Sequence, residues 1–204
     1  MGADLVKQRG VILLLTLLSF FCLCSCKSKE LTLIGTWRAQ CDMTELAEAH
    51  LSVFADIPSD ARLLVPVTVT FAEDGSFRAE IEAASARKAV SVYVKARISS
   101  VAAAMYAGAE QDGIRHSAFD AAFQEQYHCT VEEYLREQMQ DEALSRRICE
   151  AVSAEGVFED DGVSLCLNGT DRLSYTLDGS DLTITACDGA VFTQLTLPLI
   201  FTKA

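Results

Sequence analysis

Apolar and polar residues alternate with a period of two along most of the last quarter of the chain and along one stretch of its first half. Val67, Val69 and Phe71 alternate with Thr68 and Thr70. After Asp74-Gly75 the alternation resumes at Phe77, Ala79 and Ile81. Successive side chains of a β-strand point to opposite faces, so this pattern predicts a hairpin with one buried and one wet face. The signature returns beyond residue 156. Val157-Phe158 leads to Asp161-Gly162, residues 163–167 lead to Asn168-Gly169, Leu173, Tyr175 and Leu177 lead to Asp178-Gly179, and Leu182, Ile184 and Ala186 lead to Asp188-Gly189. A last run, 191–201, keeps Leu195, Leu197, Leu199 and Phe201 in one phase, and Pro198 inside it implies a bulge or an edge. Residues 31–38 read as the first strand. Asp-Gly and Asn-Gly pairs suit the left-handed backbone of tight hairpin turns, and five of them predict an antiparallel meander rather than a parallel sheet.

Between residues 82 and 153 the period changes. Alanine becomes frequent, and Val90, Val94, Ile98, Val101 and Met105 recur at helical spacing. Val90 to Ile98 also alternates as a strand does, but the alanine-rich flanks favour a helix ended by Gly108 and Gly113. A further turn or two of helix is predicted over 117–126. Thr130 followed by Glu133 matches a capping box, and Val131, Leu135, Met139, Leu144, Ile148 and Val152 mark one helix over 130–152. A short helix over 45–54, capped by Asp42 or Thr44, precedes the first hairpin. The predicted fold is therefore α+β, mainly antiparallel β, with a helical insertion over about 84–153.

The N-terminus follows a different pattern. Lys7 and Arg9 precede an apolar run from Val11 to Leu23, and a polar run follows from Lys27. At about 1.5 Å per residue this run makes a helix of roughly 20 Å, short for a hydrocarbon core of about 30 Å. A basic head, a short apolar middle and a small residue before the junction describe a secretory signal over 1–25. The junction Leu23-Cys24-Ser25-Cys26 resembles a bacterial lipobox. That resemblance implies cleavage between Ser25 and Cys26, a diacylglyceryl thioether on Cys26, and anchoring by palmitate-type acyl chains on the extracytoplasmic face of the cell membrane. Residues 26–30 become a tether, and 31–204 the folded domain.

Charge narrows the partners. The whole chain carries −12, and loss of the leader leaves 15 basic against 28 acidic residues, or −13. This excludes nucleic acid as a partner and leaves covalent lipid, not electrostatics, to supply membrane contact. Five cysteines remain after the leader and Cys26 are set aside: Cys41, Cys129, Cys149, Cys166 and Cys187. The number is odd and contains no C-x-x-C, so buried small hydrophobes are expected rather than a disulfide framework or zinc ribbon. His50, His116 and His128 lack metal spacing, and the acidic turns match hairpin chemistry rather than a calcium loop. No nucleophile elbow, phosphate loop or paired-carboxylate motif is present, so no catalytic residue, metal or cofactor is assigned.

Gly35-Thr36-Trp37-Arg38 at the first strand, the hairpin series and the 175–184 run together resemble lipocalin-like domains of bacterial lipoproteins. The helical excursion is similar to a Firmicutes subgroup of them. The resemblance covers 31–83 and 155–204. It implies a lipocalin-like meander barrel and a structural role for Trp37 across the closed end, with Arg38 stacked on it. It also implies a non-enzymatic lipoprotein. Two alternatives stay open: a small apolar ligand or peptide inside the barrel, or a protein partner on the helical insertion of a filled barrel. Large residues at inward positions (Phe71, Phe77, Phe158, Tyr175, Phe201) point toward a filled interior.

Overall fold

Eight strands close into one antiparallel meander barrel in which every neighbour in sequence is a neighbour in space, and β8 returns to β1. The computed structural model describes residues 32–204 other than 52, 53, 55, 190, 191, 193 and 194. The strands are β1 (Gly35–Asp42), β2 (Leu64–Phe71), β3 (Ser76–Glu80), β4 (Ala154–Asp160), β5 (Ser164–Leu167), β6 (Asp171–Asp178), β7 (Asp181–Asp188) and β8 (Leu199–Lys203). Helix α1 (Thr44–His50) joins β1 to β2. Four more helices form the insertion between β3 and β4: α2 (Ala83–Gln111), α3 (His116–Tyr127), α4 (Val131–Met139) and α5 (Asp141–Val152).

The period-two residues become the interior. Trp37, Ala39 and Cys41 of β1, Val65 to Phe71 of β2 at every second position, and Leu165, Leu167, Leu173, Leu182 and Phe201 are all buried. The insertion leaves the sheet at Glu80 and re-enters at Ala154. Because adjacent strands are antiparallel, these residues lie at the same end of the barrel as the β1–β2 connection. The helices therefore sit at that mouth. Their buried stripe, Val90, Val94, Ile98 and Val101, joins the barrel residues in one continuous apolar core.

Local differences from the predicted elements each have a physical cause. The helix expected over 130–152 is two helices. Gln140 between them adopts a left-handed conformation, φ 43° and ψ 57°, and its carbonyl accepts from the N–H groups of Ala143 and Leu144. The apolar positions step by four up to Met139, then by five to Leu144. A continuous helix would rotate the second half of the stripe off the core by that extra residue, and the break restores it: Leu135, Met139, Leu144 and Ile148 are all buried. The final run is strand only from Leu199. Pro198 has no N–H to give a ladder and stands just before β8. The first strand begins at Gly35 rather than 31 and continues to Asp42. The helix expected over 45–54 ends at His50, and Asp42 Oδ1 accepts the Thr44 N–H at its start.

Asn168 shows why one hairpin cannot vary. Asn168 and Gly169 have φ of 52° and 72°, the pair of positive values a type I′ turn requires. The Asn168 side chain folds back over β4, where Oδ1 accepts the Val157 N–H at 3.1 Å. A Cβ on Gly156 would lie 1.8 Å from that oxygen. Gly156→Ala must therefore expel the Asn168 amide. The expected loss is about 1–3 kcal/mol of unfolding free energy, the range for overpacking, read as a shift of the urea midpoint at constant slope.

Candidate functional site

The barrel interior and the surface of the helical insertion are the two places in this fold that invite a functional reading. The interior is occupied by the chain itself. Val65, Val67, Leu165, Leu167, Leu173, Leu182 and Phe201 have no exposed surface at all, and no void large enough to admit water touches them. Phe71 meets Phe158 edge-on at 5.0 Å between ring centroids. Clefts of several hundred Å³ do exist, beside Gln40, Arg62 and Pro198 near β8, beside Thr70, Arg78 and Glu155 around β3 and β4, and between α2 and α5, and the first two reach the inward residues Leu199 and Phe77.

Trp37 closes the end away from the helices. It is 1% exposed, and its indole Nε1 donates to the Leu33 carbonyl at 2.7 Å. The cation over its ring is Lys203, 5.1 Å from the centroid, and not Arg38 as the resemblance implies. The reason is alternation. Arg38 is the next residue along β1 and points to the outer, exposed side, whereas Lys203 is paired with Trp37 across the β1–β8 ladder and shares its face. Gly35 completes the arrangement, because a Cβ there would lie 3.0 Å from Lys203 Cε. The G-x-W triplet thus reads physically as a bare position that admits a lysine stem over an indole two residues on.

The mouth beneath the helices holds a polar knot. Arg97 of α2 is 1% exposed. Its guanidinium donates to the carbonyls of Phe54 and Ile57, each at 2.8 Å, and to Glu48 Oε2 of α1 at 3.2 Å. Tyr93, one turn earlier, donates its hydroxyl to the other oxygen of Glu48. Burial, then the hydrogen bond to Glu48, raise the Tyr93 phenol above its ordinary value, so it remains a donor. Among the described residues only Arg97 Nε is a buried polar atom without a partner. This knot ties α1, the chain after it and α2 into one plug. Its chemistry is that of a lock: every charged group is engaged within the fold.

The far side of the insertion is different. Of the twelve residues of α3 only Phe123 is buried. The rings of Phe119, Phe123, Tyr127 and Tyr134 follow one another at 4.5–6.0 Å, and Phe119 also meets Tyr106 of α2 at 5.5 Å. Tyr106 stacks on His116 at 3.5 Å and donates its hydroxyl to Asp120 Oδ1 at 2.8 Å, while His116 Nδ1 lies 3.5 Å from Asp120 Oδ2. A tyrosine, a histidine and an aspartate in contact invite a catalytic reading. The phenol argues against it: burial first, and the Asp120 hydrogen bond second, push the Tyr106 hydroxyl up to about 12, so it keeps its proton at neutral pH. What remains is a ridge of aromatic edges, with Ile114 and Tyr127 each 43% exposed.

Ser25 and Cys26 lie outside the described residues. Cys41, Cys129, Cys149, Cys166 and Cys187 form no disulfide among the described residues. Burial pushes Cys41 up to about 12 and raises Cys149 against the pull of the Arg87 guanidinium. The acidic turn 160–162 uses its oxygens on itself: Asp161 Oδ1 accepts the N–H groups of Val163 and Ser164, and Asp160 Oδ1 that of Gly162 and the Tyr175 hydroxyl. No group of three or more metal-ligating side chains occurs among the described residues. The sequence reading missed Glu48, Tyr93 and Arg97. Their signal was present, since Arg97 stands three residues after Val94 and seven after Val90, on the apolar stripe where a lone arginine demands partners. No protein-family model, curated protein or solved structure matches the chain.

Proposed function

We propose that this protein is a lipid-anchored extracytoplasmic interaction module without enzymatic activity, in which the barrel is a solid scaffold and the helical insertion carries the contact surface. The observation that carries this reading is the filled interior. A barrel that holds an apolar ligand needs space at its centre, and here Val65, Val67, Leu165, Leu167, Leu173, Leu182 and Phe201 keep no surface that water could reach. The reading of the barrel as a small-ligand carrier is correspondingly disfavoured. The insertion supplies the alternative. Helix α3 buries one residue in twelve, so its packing gives it little stability of its own, yet it displays Phe119 and Tyr127, aromatic types enriched at protein interfaces. The leader, the lipobox-like junction at Cys26 and the charge of −13 on the remainder support placement at a membrane through covalent lipid alone.

Two measurements test it. The intact mass of the membrane-extracted chain is expected to lack residues 1–25 and to carry diacylglyceryl and acyl groups on Cys26; a full-length mass ends the anchoring reading. An apolar fluorophore titrated into the purified protein is expected to show no saturable binding. A saturable signal abolished by enlarging inward residues, such as Ala79→Leu, returns the ligand to the barrel.

A further inference from the structure

A cleft of about 460 Å³ opens between the start of α2 and one face of α5, lined by Ala83, Arg87, Glu142, Ser145, Arg146 and Cys149. Its α5 residues stand at steps of three, one and three, a single helical face, and Ala83 and Arg87 are one turn apart on α2. Two features of its lining bear on what it could hold. The first is charge. The chain has far more acids than bases, and Arg62, Arg78 and Arg97 each pair with a carboxylate. Arg87 and Arg146 line one cleft and neither pairs with a carboxylate among the described residues. The second is a hydroxyl that no protein group engages and that opens onto the cleft. Ser145 is 6% exposed and lines the same cleft, and its hydroxyl has no hydrogen-bond partner among the described residues. Its oxygen is reached from the cleft, so it is free to donate to whatever fills that space.

We propose that the cleft binds the phosphate group of a small phosphate ester, gripped between the guanidinium groups of Arg87 and Arg146 with the Ser145 hydroxyl as a third donor. The ligand class follows from the donor set. A carboxylate has two oxygens and satisfies one guanidinium fork, whereas a phosphate monoester presents three acceptor oxygens and close to two negative charges, enough for both forks and the hydroxyl. Ala83 is the first residue of α2, but that helix end adds little to the match, because the N-cap residue Glu82 sets a carboxylate there that accepts from Ser85 Oγ at 2.8 Å. Glu142 opposes an anion and fixes which anion is accepted. Its carboxylate suits an ester whose organic part donates a hydrogen bond, as a polyol does, and disfavours a bare phosphate. The volume agrees, being of the order that holds a small organic molecule.

The site does not depend on the anchoring or on the aromatic ridge, so its test is separate from theirs. The full chain in a nonionic, phosphate-free detergent is titrated calorimetrically with glycerol 3-phosphate and with inorganic phosphate, and is floated with vesicles of equimolar phosphatidylcholine and phosphatidic acid. Saturable binding of glycerol 3-phosphate, tighter than that of inorganic phosphate, is expected. It should weaken about tenfold or more in Arg87→Gln and in Arg146→Gln and stay unchanged in Arg147→Gln, each charged hydrogen bond contributing on that scale. Arg87 and Arg146 are both exposed, so these variants should melt with the parent. Binding confined to the phosphatidic acid vesicles, and lost in the same two variants, keeps the phosphate site and assigns its source to a lipid headgroup. Flat titrations with all three probes, or binding indifferent to both substitutions, overturn the proposal.

Discussion

Arg97→Met is expected to destabilise the protein by about 3–5 kcal/mol, the range for removing one partner of a buried ionic group. The methionine keeps most of the aliphatic stem, so the loss isolates the guanidinium. Without it the carbonyls of Phe54 and Ile57 lose their donors and the Glu48 carboxylate keeps only Tyr93. Each stranded acceptor carries a desolvation penalty that exceeds the net contribution of an ordinary hydrogen bond. Glu48→Gln should cost clearly less. Glu48 is 30% exposed, so water reaches it, and its amide can still accept from Tyr93. The two variants, compared by urea midpoint at unchanged slope, separate a lock built around the arginine from an incidental ion pair. A loss below about 1 kcal/mol for Arg97→Met, the scale of an exposed pair, sinks the lock. The consequence reaches function, since the plug that Arg97 ties down is what keeps the helical surface fixed on the barrel.

The legibility of this fold varied with the kind of signal. The meander was written in the period-two runs and in five turn pairs that few other local structures favour, and the barrel closes through the strands those runs mark. The insertion was written in the change of period. Its interior break was also present, as the five-residue step from Met139 to Leu144, but a stripe read without regard to phase conceals it. What sequence could not convey was register. Which cation covers Trp37 depends on which residue of β8 stands opposite β1, and that pairing, Trp37 with Lys203, is a contact across nearly the whole chain. The cleft at Arg87 and Arg146 was hidden for the same reason. Each helix shows its half at helical spacing, but only the packing of α2 on α5 brings the two arginines together. The filled interior was partly legible, since Phe71, Phe77, Tyr175 and Phe201 are buried as their phase predicts, whereas Phe158 on β4 is only half-buried.

Trp37→Ala is expected to cost about 3–5 kcal/mol, comparable to Arg97→Met but through a different mechanism. Removing the indole empties the end of the barrel opposite the helices and leaves the Leu33 carbonyl, bonded at 2.7 Å, without its donor. The inward neighbours are already packed to near-zero exposure and belong to a closed ladder, so they have little freedom to collapse into the space. Lys203→Ala removes the cation from above the same ring, and the expected cost is only about 0.5–1 kcal/mol, because the ammonium is solvated and its attraction to the indole is screened. Thermal unfolding of the two variants should therefore differ severalfold in their effect, and both should unfold in one transition if Leu33–Ala204 is a single cooperative unit. If Lys203→Ala were as damaging as Trp37→Ala, the lysine would be the structural element and the tryptophan its support. If Trp37→Ala were mild, the interior would contain slack that the burial of its side chains denies, and a cavity for an apolar ligand would again be a reasonable reading of the barrel.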